Sequence, residues 1–171
     1  MRAQVARLAP KGRTTRVQAD AARAHIHVAG STADLPQCAL VIEAIREDLA
    51  VKRALFAALA GSQPAGTLLA TNTSSLDITQ IAHGLPHPGR LLGLHFFNPP
   101  PVMRLVEVIA GQETSEESVP AATELMRAWG QAPGTCPATP GFLLNRAEPP
   151  FYGHAPRRVC GGGAGGGRLG A

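Results

Sequence analysis

The sequence predicts an α/β domain built on a mainly parallel sheet, and three observations carry that prediction. Short apolar runs recur at residues 38–45 (CALVIEAI), 67–71 (TLLAT) and 90–96 (RLLGLHF). Segments with apolar residues at helical spacing lie between them. Each run gives way to polar residues. Near-continuous apolar runs bounded by turn residues read as buried strands, and strands alternating with helices at this spacing read as βαβ units.

Taken in order, residues 1–33 read as helical pieces. Val5 and Leu8 pair, residues 10–12 turn, and Thr15 caps a weakly amphipathic helix running to Ala24. Gly30 and Ser31 break the pattern. After the first strand, Glu47 and Asp48 suit the positive end of a helix dipole. Val51, Leu55, Phe56 and Leu59 then follow at helical spacing, and Gly61 supplies the stop. The second strand ends in Asn72, Thr73, Ser74 and Ser75. Ser75 reads as the N-cap of a short helix containing Leu76, Ile78, Ile81 and Ala82, closed by Gly84 and Pro86.

The third strand runs into His95 and Asn98, and the prolines 99–101 precede another apolar run at residues 105–109 that carries Glu107. Thr114 and Glu117 suggest a capping box. Val119, Ala122, Leu125, Met126 and Trp129 share a helical face that reads as core, with Pro120 kinking or delaying the helix and Gly130 ending it. Residues 132–137 read as a last short strand, and residues 141–146 as a turn into another helix. From about residue 157 the GGGAGGG run supports no packed helix and reads as disorder.

At 171 residues the chain suits one domain with a sizeable core. Its net charge of +4 is modest; only residues 1–33 are lopsided, with Arg2, Arg7, Lys11, Arg13, Arg16 and Arg23 against Asp20. That region reads as a solvated helical surface in preference to a transit peptide or a nucleic-acid arm, and no interleaved aromatics support base stacking. Cys38, Cys136 and Cys160 are odd in number and widely spaced, which argues for a reducing compartment and against a structural zinc site. With no membrane-span-length apolar run and no secretory signal, the cytoplasm is the expected location.

The parallel arrangement brings Glu47, Asn72, Ser74, His95 and Asn98 to one rim, the carboxyl ends of the strands, where open α/β sheets place ligands. Glu107 lies among Leu105, Val106, Val108 and Ile109, so its carboxylate needs a partner, and His95 is the obvious one. Such a pair suits general acid–base work, because the carboxylate orients the ring and favours its taking a proton. A core histidine beside an edge carboxylate is the plainer reading of the same two residues.

Four stretches resemble the nucleotide-binding domain of 3-hydroxyacyl-CoA dehydrogenases, of the 3-hydroxybutyryl-CoA type. They are VIEAIREDLAVK (41–52), LATNTSSLDI (69–78), GLHFFNPPPVMRLVEV (93–108) and TPGFLLNR (139–146). With their linking segments they cover about residues 14–155. The resemblance implies an incomplete Rossmann-like, doubly wound sheet in residues 1–140. It also implies the start of an all-helical domain at 141–156, before the tail at 157–171.

By position, His95 matches the proton-accepting histidine and Glu107 its paired carboxylate. Ser74 matches a serine that touches substrate and cofactor, and Asn145 an asparagine that holds the substrate's reacting oxygen. Glu47 and Lys52 match cofactor contacts, and Asn72 and Asn98 line the same cleft. The implied cofactor is NAD, and the implied substrate a (3S)-3-hydroxyacyl-CoA oxidised to its 3-oxo form, in a family that dimerises; neither nucleic acid nor membrane is an expected partner. The family's opening strand and G-x-G-x-x-G turn have no counterpart in these residues, so weak NAD binding and low turnover are expected of the chain alone. The alternative is a non-enzymatic member or fragment that exposes a sheet edge for assembly. A different nicotinamide-dependent Rossmann enzyme, such as a 6-phosphogluconate-type dehydrogenase, fits the HFFNP and LVEV stretches poorly.

Overall fold

A computed structural model describes residues 15–100 and 102–137. Five strands form one sheet in the spatial order β1-β2-β3-β4-β5: β1 (Leu40–Glu43), β2 (Leu68–Thr71), β3 (Leu91–Phe96), β4 (Leu105–Ala110) and β5 (Ala132–Pro137). The pairs β1–β2, β2–β3 and β4–β5 are parallel, and β3–β4 is antiparallel. The mainly parallel sheet expected from the sequence is therefore present, with one reversal after the proline-rich turn. The helices are α1 (Arg16–Ala24), α2 (Leu49–Ser62), α3 (Ile78–Ala82) and α4 (Ser118–Ala128). Asn145, Val5, Leu8, Cys160, the turn at 141–146 and the glycine-rich tail lie outside the described residues.

Strand alternation sorts the core into two layers. Phe56 and Leu59 of α2, Ile78 and Ile81 of α3, and the sheet residues Leu69, Leu91 and Ile109 pack on one face. Ala122 and Met126 of α4 pack with Ala70, Leu92, Leu94, Val106 and Val108 on the other. Glycine at position 93 permits the close seating of α3: an added Cβ would lie 3.0 Å from Ile109 Cδ1 and 3.1 Å from Ile78 Cδ1. Arg90 is buried at the C-terminal end of α2. Its guanidinium donates to the carbonyls of Ala60 (3.0 Å), Gln63 (3.4 Å) and Pro64, a cation answering a helix's negative end. Burial pulls its pKa below the ordinary arginine value.

Several local expectations are corrected. Gly61 does not stop α2, which runs through it to Ser62 and closes on Gln63. Ser75 is not the cap of α3; Asp77 is, accepting from the Thr79 amide at 2.9 Å. Ser75 is drawn instead to Glu47. Thr114 and Glu117 form no capping box, because the Thr114 hydroxyl accepts from the Gly111 amide and donates to the Leu91 carbonyl. Pro120 sits in the first turn of α4, where a missing N–H costs nothing. Met126 is core, but Trp129 is 53% exposed at the helix's end. The first apolar run is a strand, yet only Glu43 of β1 is fully buried, because β1 is an edge of the described sheet. Thr15 does cap α1 in a capping box with Gln18.

Candidate active site

His95 and Glu107 are directly opposed across the antiparallel β3–β4 ladder. Both lie on the face shared by Gly93, Ile109 and the α2–α3 layer, as the two-residue period requires. Their side chains meet: His95 Nδ1 lies 2.7 Å from Glu107 Oε2. Glu107 is 1% exposed and His95 8%. A carboxylate acceptor calls for Nδ1 as the donor, which makes Nε2 the ring nitrogen able to exchange a proton. The Phe97 ring meets the imidazole edge-on at 4.8 Å between centroids, further fixing its plane.

The rest of the rim is built by the ends of β1 and β2. Asn72, just past β2, accepts from the Phe96 amide at 2.9 Å through Oδ1 and so ties the end of β2 to the end of β3 beside His95. Ser74 is exposed on the loop that follows, its amide donating to Glu47 Oε1 at 3.2 Å. The same oxygen accepts from the hydroxyls of Thr73 and of Ser75 (3.1 Å). Thr73 is the hub of this turn, its hydroxyl also accepting from the amides of Ser75 (3.3 Å) and Leu76 (2.9 Å). Asn98 is exposed at the turn beyond β3, preceding a cis peptide bond to Pro99.

Lys52 lies inside the first turn of α2 and is 1% exposed. Its Nζ reaches Glu43 Oε1 at 2.6 Å and Glu47 Oε2 at 3.3 Å. Burial alone would raise the Glu47 carboxyl's pKa. Hydrogen bonds from Thr73, Lys52 and Ser75, with the charge of Lys52, outweigh that and hold it below the usual value. The geometry thus joins Glu47, Ser74 and Lys52 in one cluster, and His95 and Glu107 in another, with Asn72 bracing the strand ends near them.

Sequence reasoning missed Glu43, Thr71 and Thr73. Glu43 sits inside the VIEAI run, where a lone carboxylate among apolar residues carries the same signal that singled out Glu107. Lys52 also heads a stripe with Phe56 and Leu59 at spacings of four and three, a position that normally takes an apolar side chain.

Residues 1–138 match the family described as 3-hydroxyacyl-CoA dehydrogenase, NAD binding domain. The chain belongs to this family. It is 54% identical over 120 residues to the 3-hydroxyadipyl-CoA dehydrogenase of Escherichia coli K12, covering 70% of this chain and 25% of that protein. It is 38% identical over 149 residues to the 3-hydroxybutyryl-CoA dehydrogenase of Clostridioides difficile, covering 87% of this chain and 53% of that protein. Among solved structures, the 3-hydroxybutyryl-CoA dehydrogenase of Escherichia coli K12 superposes with a TM-score of 0.83 at 43% identity. That match covers 92% of this chain and 34% of the other. The chain therefore spans between a quarter and about half the length of these two sequence relatives. The family's Rossmann-like architecture agrees with the parallel sheet described above. Among the described residues, no helix is long and apolar enough to cross a membrane.

Proposed function

We propose that His95 and Glu107 are the acid–base pair of an NAD-dependent 3-hydroxyacyl-CoA dehydrogenase, interconverting a (3S)-3-hydroxyacyl-CoA and its 3-oxo form. The 2.7 Å contact between the two buried side chains carries this reading. In the oxidative direction the imidazole takes the proton of the substrate's 3-hydroxyl at Nε2 while Glu107 holds the ring and balances the charge it gains. In the reductive direction the imidazolium returns that proton. NAD, when bound, supplies the hydride acceptor. Ser74 and Asn145 are assigned as donors to the reacting oxygen, where hydrogen bonds steady developing charge.

The rim fits the nucleoside portion of such a cofactor: Ser74, Asn98 and the partly exposed Glu47 carboxylate offer donors and acceptors for hydroxyl and amide groups. Asn72 supports the same edge, and Lys52 acts there through Glu47. Among the described residues no G-x-G-x-x-G turn joins a strand to a helix to receive a pyrophosphate. We expect weak NAD affinity of the chain alone, and isothermal titration reaching micromolar affinity would contradict this. We assign the chain to acyl-CoA metabolism in the cytoplasm.

The test is oxidation of 3-hydroxybutyryl-CoA, followed by NADH absorbance, in a chain that turns over. His95→Gln lowers kcat by about 10²–10⁴-fold, the range for losing a general acid–base group, and leaves NAD binding unchanged. Equal turnover in the variant removes His95 from the reaction. A second reading, a non-enzymatic assembly role, draws on the half-buried Leu40 and Ile42 at the β1 edge. Self-association through β1 with no turnover, even when a pyrophosphate-binding segment is supplied, would favour it.

A further inference from the structure

The cluster around Lys52 is a second buried charge centre, and nothing in the proton transfer above uses it directly. Glu43, at the end of β1, is 3% exposed, and each of its oxygens is engaged. Oε1 accepts from Lys52 Nζ at 2.6 Å and from the Ile45 amide at 2.6 Å, and Oε2 accepts from the Thr71 hydroxyl at 2.7 Å. Lys52 Nζ then reaches Glu47 Oε2 at 3.3 Å and the Ile45 carbonyl at 3.4 Å. Glu47 Oε1 in turn holds the Thr73 and Ser75 hydroxyls and the Ser74 amide. An unbroken line of hydrogen bonds and one ion pair, with a charged side chain in every link, thus runs from the buried end of β1 to the loop that displays Ser74. Charge-assisted bonds of this kind are the strong ones. A lysine buried this deeply stays in place only if a carboxylate answers it from within the core, and Glu43 is the carboxylate that does.

We propose that Glu43 is a positioning residue for this rim: it anchors Lys52, so that Lys52 sets Glu47 and Glu47 fixes the 73–75 turn and, with it, Ser74. The proposal rests on the function stated above only in treating that turn as ligand-facing. An ordinary buried ion pair stabilises the whole domain; a positioning pair also controls one loop.

Two variants of the full chain separate the two cases, read by thermal melting and by residue-resolved amide exchange. In Glu43→Gln, exchange at Ser74, Ser75 and Leu76 rises about tenfold, the scale of losing one charge-assisted hydrogen bond. Amides of Leu94 and Val108 change only as far as global stability does. In the double variant Glu43→Gln with Lys52→Met, no unanswered charge remains in the core, so the melting temperature returns toward wild type. Exchange at Ser74–Leu76 nonetheless stays high, because Glu47 has lost its cation. Recovery of melting and loop exchange together, or a uniform rise across the sheet in Glu43→Gln, would overturn the proposal. Should Glu43→Gln not fold, the double variant decides alone, with wild-type loop exchange as the overturning result. NAD titration of the same samples keeps the two readings apart. Loop-confined exchange with no NAD bound, even after a pyrophosphate-binding segment is supplied, supports the positioning role and counts against the dehydrogenase reading.

Discussion

The two buried charge centres differ in how they are made. His95 and Glu107 are neighbours in one ladder, opposed residues on adjacent antiparallel strands. Glu43, Lys52 and Glu47 come from a strand end, a helix's first turn and the loop between them, and they reach a fourth element through Thr71 and Thr73. Strand register alone builds the first centre. The second exists only if β1, β2 and α2 are all seated. The His95–Glu107 pair should therefore tolerate damage at the β1 side of the sheet, whereas the Lys52 cluster should not.

The largest expected effect is on the cluster. Lys52→Met leaves Glu43 buried without its cation, and breaking a buried pair in this way costs about 3–5 kcal/mol. Urea unfolding measures it; a loss below about 1 kcal/mol would place the cluster with exposed ion pairs, whose worth is small. Next is Gly93→Ala, which loads the other centre. The added methyl would press on Ile109 and Ile78 at 3.0–3.1 Å, and overpacking of this kind costs about 1–3 kcal/mol. Amides of β3 and β4 should loosen while Ser74 keeps its wild-type exchange. Equal loosening of both regions would show that the two centres are coupled.

The smallest effect is a pH dependence. The folded Glu47 carboxyl titrates below its unfolded value, so its contribution is complete above the ordinary glutamate range and is lost as pH falls through the depressed value. In that window the unfolded chain binds more protons, and stability rises with pH. Its side chain is 37% exposed, so solvent screens much of the effect. Melting from neutral pH into that acidic window should show a Glu47→Gln chain responding less steeply than wild type. Parallel curves would remove Glu47 from the acid sensitivity of the fold.

The same contrast explains what the sequence disclosed. Strands declare themselves by apolar runs, and a lone carboxylate in such a run demands a partner; hence residue order alone pairs His95 with Glu107. Asn72 and Ser74 are legible as rim residues because parallel strands place their carboxyl ends together. Lys52 matches a cofactor-contact position, but its burial is hidden: a lysine on a helix ordinarily reads as a solvated one, and only the α2 stripe shows otherwise. Ser75 and Thr114 mislead as caps because short hydroxyl side chains donate to whichever acceptor the tertiary fold brings closest, here the Glu47 carboxylate and the Leu91 carbonyl, outweighing local helix preferences. Trp129 misleads because helical spacing places a side chain on a face without saying where the neighbouring layer ends.

The reversal between β3 and β4 has a consequence for how this chain can vary. Residues 98–104 can change in length without disturbing the histidine and its acid, since both are set by the rungs above that bend. A single residue deleted between Leu105 and Glu107 inside β4 does the opposite. It sends the carboxylate through to the α4 side of the sheet and brings an aliphatic neighbour against the imidazole. The proposed proton transfer thus hangs on the parity of a count along one strand.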